Sequence, residues 1–162
     1  MKGHDIFFKS LETLLKKRRD IHVLAVGRNV YYKNFKHIIL KKNKSHYHFT
    51  GQKNNINDLM CCMNIFVSSS VWGEGFSNVL SEAMLMEIPC VATNIGESKN
   101  IIGNQGIIVK SSSVANLQSG ICKLLALSAK ERNLIGRKAR LRIINNFSIE
   151  KINKLYLHVY SK

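Results

Sequence analysis

Apolar and polar positions along the chain change period several times. Phe7, Phe8, Leu11, Leu14 and Leu15 recur at helical spacing, with Lys16 to Arg19 on the polar side. This predicts a first helix from about His4 to Arg19. His22 to Gly27 is a short apolar run ending in glycine, which reads as a buried strand. A basic helix is expected from Tyr31 to Lys42, then a strand from His46 to Gly51. A short helix follows at Ile56 to Met63, with Asn55 or Asn57 as its cap. Further strands are predicted at Asn64 to Ser70, Cys90 to Thr93 and Gly106 to Val109. Helices are predicted at Ser77 to Met86, Ser113 to Leu127, Ala129 to Asn146 and Ile149 to Tyr160, with Ser128 and Ser148 as caps of the last two.

Apolar strands alternating with helices indicate an α/β fold, a Rossmann-like parallel sheet covered by helices on both faces. The 162 residues fit one domain. Ligands in such folds bind beyond the carboxyl ends of the strands. That rule gathers Gly27, Gly51, Ser68 to Phe76 and Thr93 to Gly96 around one cleft.

Composition narrows the function classes. No apolar run is long enough to cross a membrane, and the amino-terminal residues lack a secretory pattern, so a cytoplasmic protein is expected. Cys61, Cys62, Cys90 and Cys122 lie in apolar runs without zinc-site spacing and are expected to be buried, reduced thiols. With 25 Lys and Arg against 10 Asp and Glu, the net charge is +15. This surplus fits phosphates, nucleic acid or an anionic membrane surface, and equally a lysine-rich compositional bias. No nucleic-acid motif accompanies it, so nucleic acid is not the expected partner.

The chemistry concentrates in the segment from Val71 to Met84. A glycine-flanked loop leads into a helix start, where the amides of Phe76, Ser77, Asn78 and Val79 form an anion site suited to a diphosphate. Glu74 precedes the helix and Glu82 lies about a turn inside it. They are too far apart for a tight carboxylate pair and better suit two separate hydroxyl acceptors. By spacing alone, Glu74 is also a loop carboxylate favoured by the helix dipole, and Glu82 a solvated charge.

The segment resembles the signature of family-4 glycosyltransferases, the glycosyl transferases group 1: two glutamates separated by seven residues, followed by Ala83-Met84. Lys2-Gly3, Ala25-Val26-Gly27, Phe49-Thr50-Gly51, Ile65 to Ser70 and Pro89 to Gly96 also resemble that family, in order along the chain. The resemblance implies the C-terminal, donor-binding half of a GT-B fold. It implies retaining transfer from a nucleoside diphosphate sugar to an acceptor hydroxyl, with no metal and no other cofactor. Glu74 would contact the sugar, Glu82 the ribose hydroxyls and Lys2 the diphosphate. Gly75, Phe76, Ser77, Asn78 and Val79 would bind sugar and phosphate oxygens, with Gly27 and Gly51 lining the donor cleft. Glu74 and Lys2 are the expected catalytic residues.

The departures from the family are equally specific. A strand and Gly-Arg loop ahead of Lys2-Gly3 are missing, as is the N-terminal acceptor domain. Activity is therefore expected to need an acceptor-binding chain, and the same fold serving as a non-catalytic remnant or interaction module is the alternative. Lys2 stands where fraying is expected. An open sheet edge, marginal stability and recruitment of a partner to that edge are also expected. Glu87 occupies a position where the family has glycine, in a left-handed conformation.

Overall fold

The structure, a computed structural model, describes residues 2–161, with Leu155 represented by its backbone alone. Five short strands alternate with helices: α1 (His4–Leu14), β1 (Val23–Val26), α2 (Tyr32–Phe35), β2 (Tyr47–Gly51), α3 (Ile56–Met60), β3 (Phe66–Ser68), α4 (Asn78–Leu85), β4 (Cys90–Thr93), α5 (Ser98–Ile102), β5 (Ile107–Val109), α6 (Val114–Leu125), α7 (Ala129–Phe147) and α8 (Ile149–Tyr160). All strand pairs are parallel. β4 is central in its sheet and buried at every position, as expected of a strand covered on both faces.

The period of two along β4 sorts the core. Val91 joins a cluster with Phe8, Leu11 and Leu15 of the α1 region, Val23, Tyr47, Leu117 and Leu124. Its neighbours Cys90 and Ala92 face a second cluster with Leu80, Met84, Ile101, Ile102, Ala139 and Ile143. α1 and α6 therefore cover one face, and α4, α5 and α7 the other.

The parallel sheet is not continuous. β1 pairs only with β2, and β3, β4 and β5 form a separate three-stranded sheet. No strand among the described residues lies between β1 and β3, so each shows a bare edge there. The packing of α1 on α6 holds the two sheets together, because the first core cluster draws on both.

Three local expectations need correction. The basic helix from Tyr31 to Lys42 is a single turn, Tyr32–Phe35, followed by turns and a 3-10 segment, Lys41–His46. Closely spaced like charges from Lys33 to Lys44 oppose a regular helix, while buried Phe35 and Ile39 still anchor the segment. The first helix stops at Leu14, before the run of four cations, and Arg18 closes onto Asp20 with contacts of 2.8 and 2.6 Å. Only Cys90 is buried; Cys61, Cys62 and Cys122 are exposed, and all four are free. Cys122 lies on the outward face of α6, and Cys61 and Cys62 sit in the turn that follows α3. α5 was absent from the expected elements, because its five residues are too few to show a period.

The expected caps of the last two helices are present. Ser128 and Glu131 form a reciprocal capping box, and the Ser148 hydroxyl accepts from the amide of Lys151. A polar network was not anticipated: buried Glu12 accepts from Tyr47 Oη and Asn43 Nδ2, each at 2.8 Å, and Arg19 donates to Asn43 Oδ1 at 2.7 Å. It ties α1 to β2 and to the 3-10 segment. Burial, reinforced by Glu12, pushes the Tyr47 phenol far above its ordinary range.

Glu87 has φ 61°, the left-handed region that disfavours a side chain. Its carboxylate reaches Arg137 only at 4.0 Å across exposed surface, which contributes little. The Glu87→Gly variant is expected to be more stable by about 1 kcal/mol, read from urea denaturation. A variant no more stable than the parent would show that Arg137 offsets the strain.

Candidate functional site

The site is built where β3 and β4 end. After β3 the chain passes through Ser69 and Ser70, both buried, into the loop carrying Glu74. Two glycines set its position. Gly3 has φ 62°, and a Cβ there would stand 2.0 Å from the Ser69 carbonyl oxygen. Ser69 Oγ also donates to the Lys2 carbonyl at 2.8 Å. Gly96 has φ 53°, and a Cβ there would stand 2.0 Å from the Glu74 carbonyl oxygen and 2.6 Å from that of Gly75. The Glu97 amide donates to the Gly75 carbonyl at 3.2 Å. Neither approach tolerates a side chain, so the Glu74 loop is gripped from two sides.

The side chains follow from that grip. Lys2 Nζ donates to both Glu74 oxygens at 2.8 Å, and Ser70 Oγ donates to Glu74 Oε2 at 2.6 Å. The Glu74 side chain is only 11% exposed, and that of Lys2 is 59% exposed. The expected fraying at Lys2 is thus opposed by three contacts, one through its backbone. Thr93 Oγ1, at the end of β4, donates to the Ser70 carbonyl at 2.6 Å and fixes the other side of the loop. Burial alone would raise the Glu74 carboxyl. The hydrogen bonds from Lys2 and Ser70, with the Lys2 charge and a smaller pull from nearby Ser77, outweigh it and hold Glu74 below its ordinary value.

Glu74 is therefore a carboxylate at neutral pH and acts as an acceptor, not an acid. The Lys2 ammonium has three protons, so one remains for a further acceptor. Ser77 is the residue before α4. Its hydroxyl does not cap the helix and is buried with no hydrogen-bond partner in good geometry. The first amides of α4 lack intrahelical acceptors by position. An uncapped helix start, an orphan hydroxyl and an ammonium thus lie around one carboxylate.

The other expected residues are less concentrated. Glu82 is exposed on α4 and makes no ion pair with Lys2 among the described residues. Gly75 is exposed, with open space where a Cβ would lie. Asn78 is exposed and Val79 half-buried. The Phe76 ring packs on Phe147 of α7, centroids 5.4 Å apart, so only its backbone faces the loop. Gly27 and Gly51 close the ends of β1 and β2, with the Gly27 amide donating to the Gly51 carbonyl at 2.9 Å. Ser70, Thr93 and Gly96 were expected at the cleft but not as the parts that place Glu74. Among the described residues, no group of three or more His, Cys, Asp or Glu is placed to hold a metal ion.

Residues 1–127 match the family of glycosyl transferases group 1. The chain belongs to that family. It is 26% identical to the lipopolysaccharide core biosynthesis mannosyltransferase LpsB of Rhizobium meliloti, over 98% of this chain and 48% of that protein. Its fold is that of the C-terminal domain of GT-B glycosyltransferases. The C-terminal domain of the group 1 protein LpcC from Francisella tularensis matches with TM-score 0.75 and 24% identity, over 91% of this chain and 80% of that one. Anabaena HepE, solved in complex with UDP, matches with TM-score 0.84 and 21% identity, over 99% of this chain and 45% of that one. The chain spans about half the length of the curated relatives it matches from end to end.

A carboxyl whose pKa is depressed by folding adds stability above its unfolded pKa and loses it as pH falls through the folded value. The Lys2 contact with Glu74 should therefore persist from neutral pH to the ordinary carboxylate range and open only below it. Carboxyl-carbon NMR should show the Glu74 midpoint rising in Lys2→Met, where burial acts with less opposition. An unchanged midpoint would assign the depression to the serines instead.

Proposed function

We propose that residues 1–162 form one nucleotide-sugar-binding domain of a retaining glycosyltransferase. It serves transfer of a hexose-type sugar from a nucleoside diphosphate to an acceptor hydroxyl, in glycan, lipopolysaccharide or glycolipid synthesis. The observation that carries this reading is the uncapped start of α4, with the orphan Ser77 hydroxyl beside Glu74 and Lys2. Amides and a hydroxyl facing one point suit phosphate oxygens, and the helix dipole favours their charge.

In this reading the diphosphate lies over Gly75 to Val79, with the third N–H of the Lys2 ammonium donating a hydrogen bond to a phosphate oxygen. As the bond from the anomeric carbon to the diphosphate breaks, negative charge grows on the leaving group. The α4 amides and Lys2 stabilise that charge. Glu74, kept ionised, accepts from sugar hydroxyls and fixes the ring, and Glu82 accepts from the ribose diol. Gly27 and Gly51 leave room for the donor at the ends of β1 and β2. The family membership and the relative active in lipopolysaccharide synthesis support this assignment.

Turnover in this account calls for an acceptor-binding domain beside this one. The relatives matched from end to end are about twice as long, which leaves length in such proteins for a second domain; a binding or interaction module without turnover is the alternative reading. The +15 charge supports docking on an anionic membrane surface, where lipid-linked acceptors would be met. Among the described residues no helix is long and apolar enough to cross a membrane.

Calorimetry with UDP, GDP, ADP and their sugars is expected to give saturable binding of at least one nucleotide. Glu82→Ala should weaken it roughly 10- to 100-fold, the worth of hydrogen bonds to a charged group. Equal affinity in the variant would remove Glu82 from the donor site. On liposomes, sedimentation should increase with the anionic lipid fraction and fall with salt; indifference to lipid charge would exclude membrane docking.

A further inference from the structure

Three of the chain's six histidines meet where β1 and β2 begin. They lie on the β2 side of β1, away from the groove between β1 and β3. The two strands run parallel, with Val23 beside Tyr47 and Leu24 beside His48. His22, one residue ahead of β1, is therefore level with His46. His46 and His48, two positions apart, share a face. The His22 ring stands between them, its centre 5.5 Å from that of His46 and 5.4 Å from that of His48.

His22 Nδ1 is 3.1 Å from His48 Nε2. The ring centres are farther apart than these nitrogens by about two ring radii. The imidazoles thus lie edge to edge and aim the two nitrogens at each other. His46 supports the arrangement from behind. Its Nδ1 donates to the Ile21 carbonyl at 2.9 Å, because a carbonyl can only accept. That bond holds the backbone immediately before His22. Both His22 and His48 are exposed.

The donor atoms select the ligand. Two imidazole nitrogens facing one point suit a borderline transition-metal ion. With metal–nitrogen bonds of about 2.0–2.1 Å, nitrogens 3.1 Å apart subtend about 95–100° at the metal. That is near the right angle between neighbouring ligands in tetragonal Ni²⁺ and Cu²⁺ sites, and tighter than the tetrahedral angle of Zn²⁺. Each ring has only to tilt toward a point beside the nitrogen–nitrogen line, which an exposed side chain allows. No Asp or Glu stands between Ile21 and Asn57, so oxygen-seeking Mg²⁺ and Ca²⁺ find no carboxylate in this segment. Among the described residues no set of three His, Cys, Asp or Glu is placed to hold one ion, so water takes the remaining positions.

We propose that His22 and His48 form a two-histidine site for a divalent nickel or copper ion, which clips the start of β1 to the start of β2. Each ring gives the ion one lone pair and carries its proton on the other nitrogen. The site is independent of the donor reading, since it lies at the opposite end of both strands from Gly27 and Gly51.

The test uses the full chain and Ni²⁺ as the probe, with the exposed thiols of Cys61, Cys62 and Cys122 first blocked by iodoacetamide. Calorimetry is expected to give one ion per chain. His22→Ala or His48→Ala should weaken it about tenfold or more, and His37→Ala should leave it unchanged. Paramagnetic Ni²⁺ should broaden the amide signals of residues 21–24 and 46–49 before all others. It should also raise the thermal midpoint of the parent and not of the two variants. A variant that loses the ion but keeps the parent's circular dichroism and metal-free midpoint has lost a ligand and not its fold. Absence of binding, binding that survives the loss of either histidine, equal weakening in His37→Ala, or broadening centred on residues 2–5 would overturn the proposal.

Discussion

Two contacts in which backbone meets backbone with no space for a side chain decide where the chemistry sits. Gly3 lies against the Ser69 carbonyl, and Gly96 against the carbonyls of Glu74 and Gly75. The first brings Lys2 to the end of β3; the second presses the loop after β4 onto the loop after β3. Glu74 is held between them, and the start of α4 is aimed at the same point. A methyl group at either glycine would push the loop away and dissolve that arrangement.

The same loop explains the electrostatics. A carboxylate only 11% exposed would ordinarily be disfavoured, yet Lys2 and Ser70 satisfy both oxygens. The charge is kept because its partners are placed by backbone packing and not by flexible surface side chains alone. The Ser77 hydroxyl is the one buried side-chain polar atom without a partner among the described residues. That hydroxyl lies near enough to Glu74 to add to the pull that keeps the carboxylate ionised.

Much of the architecture was legible in the chain because it depends on period. β1 and β2 announced themselves as short runs ending in glycine, β4 as an apolar run after Pro89, and Ser128 and Ser148 announced the last helices. The left-handed Glu87 was also foreseen, from the glycine that the family has there, and its φ of 61° agrees. An open sheet edge was expected, but not that it would divide the sheet in two, because pairing between strands leaves no local pattern. The collapse of the basic segment to Tyr32–Phe35 turned on repulsion among lysines, which the apolar spacing of Phe35 and Ile39 concealed. At the site, the glutamates and the helix start could be read directly. The roles of Gly3, Gly96, Ser70 and Thr93 could not, since each acts through a tertiary contact with residues distant in the chain.

Amide-resolved NMR of the labelled chain during addition of a nucleoside diphosphate tests the central claim most directly. The account predicts that the largest shifts fall on Gly75 to Val79 and extend along α4 to Glu82. Shifts confined to the groove between β1 and β3, or to the basic residues 33–44, would contradict it and detach the fold from donor binding at α4.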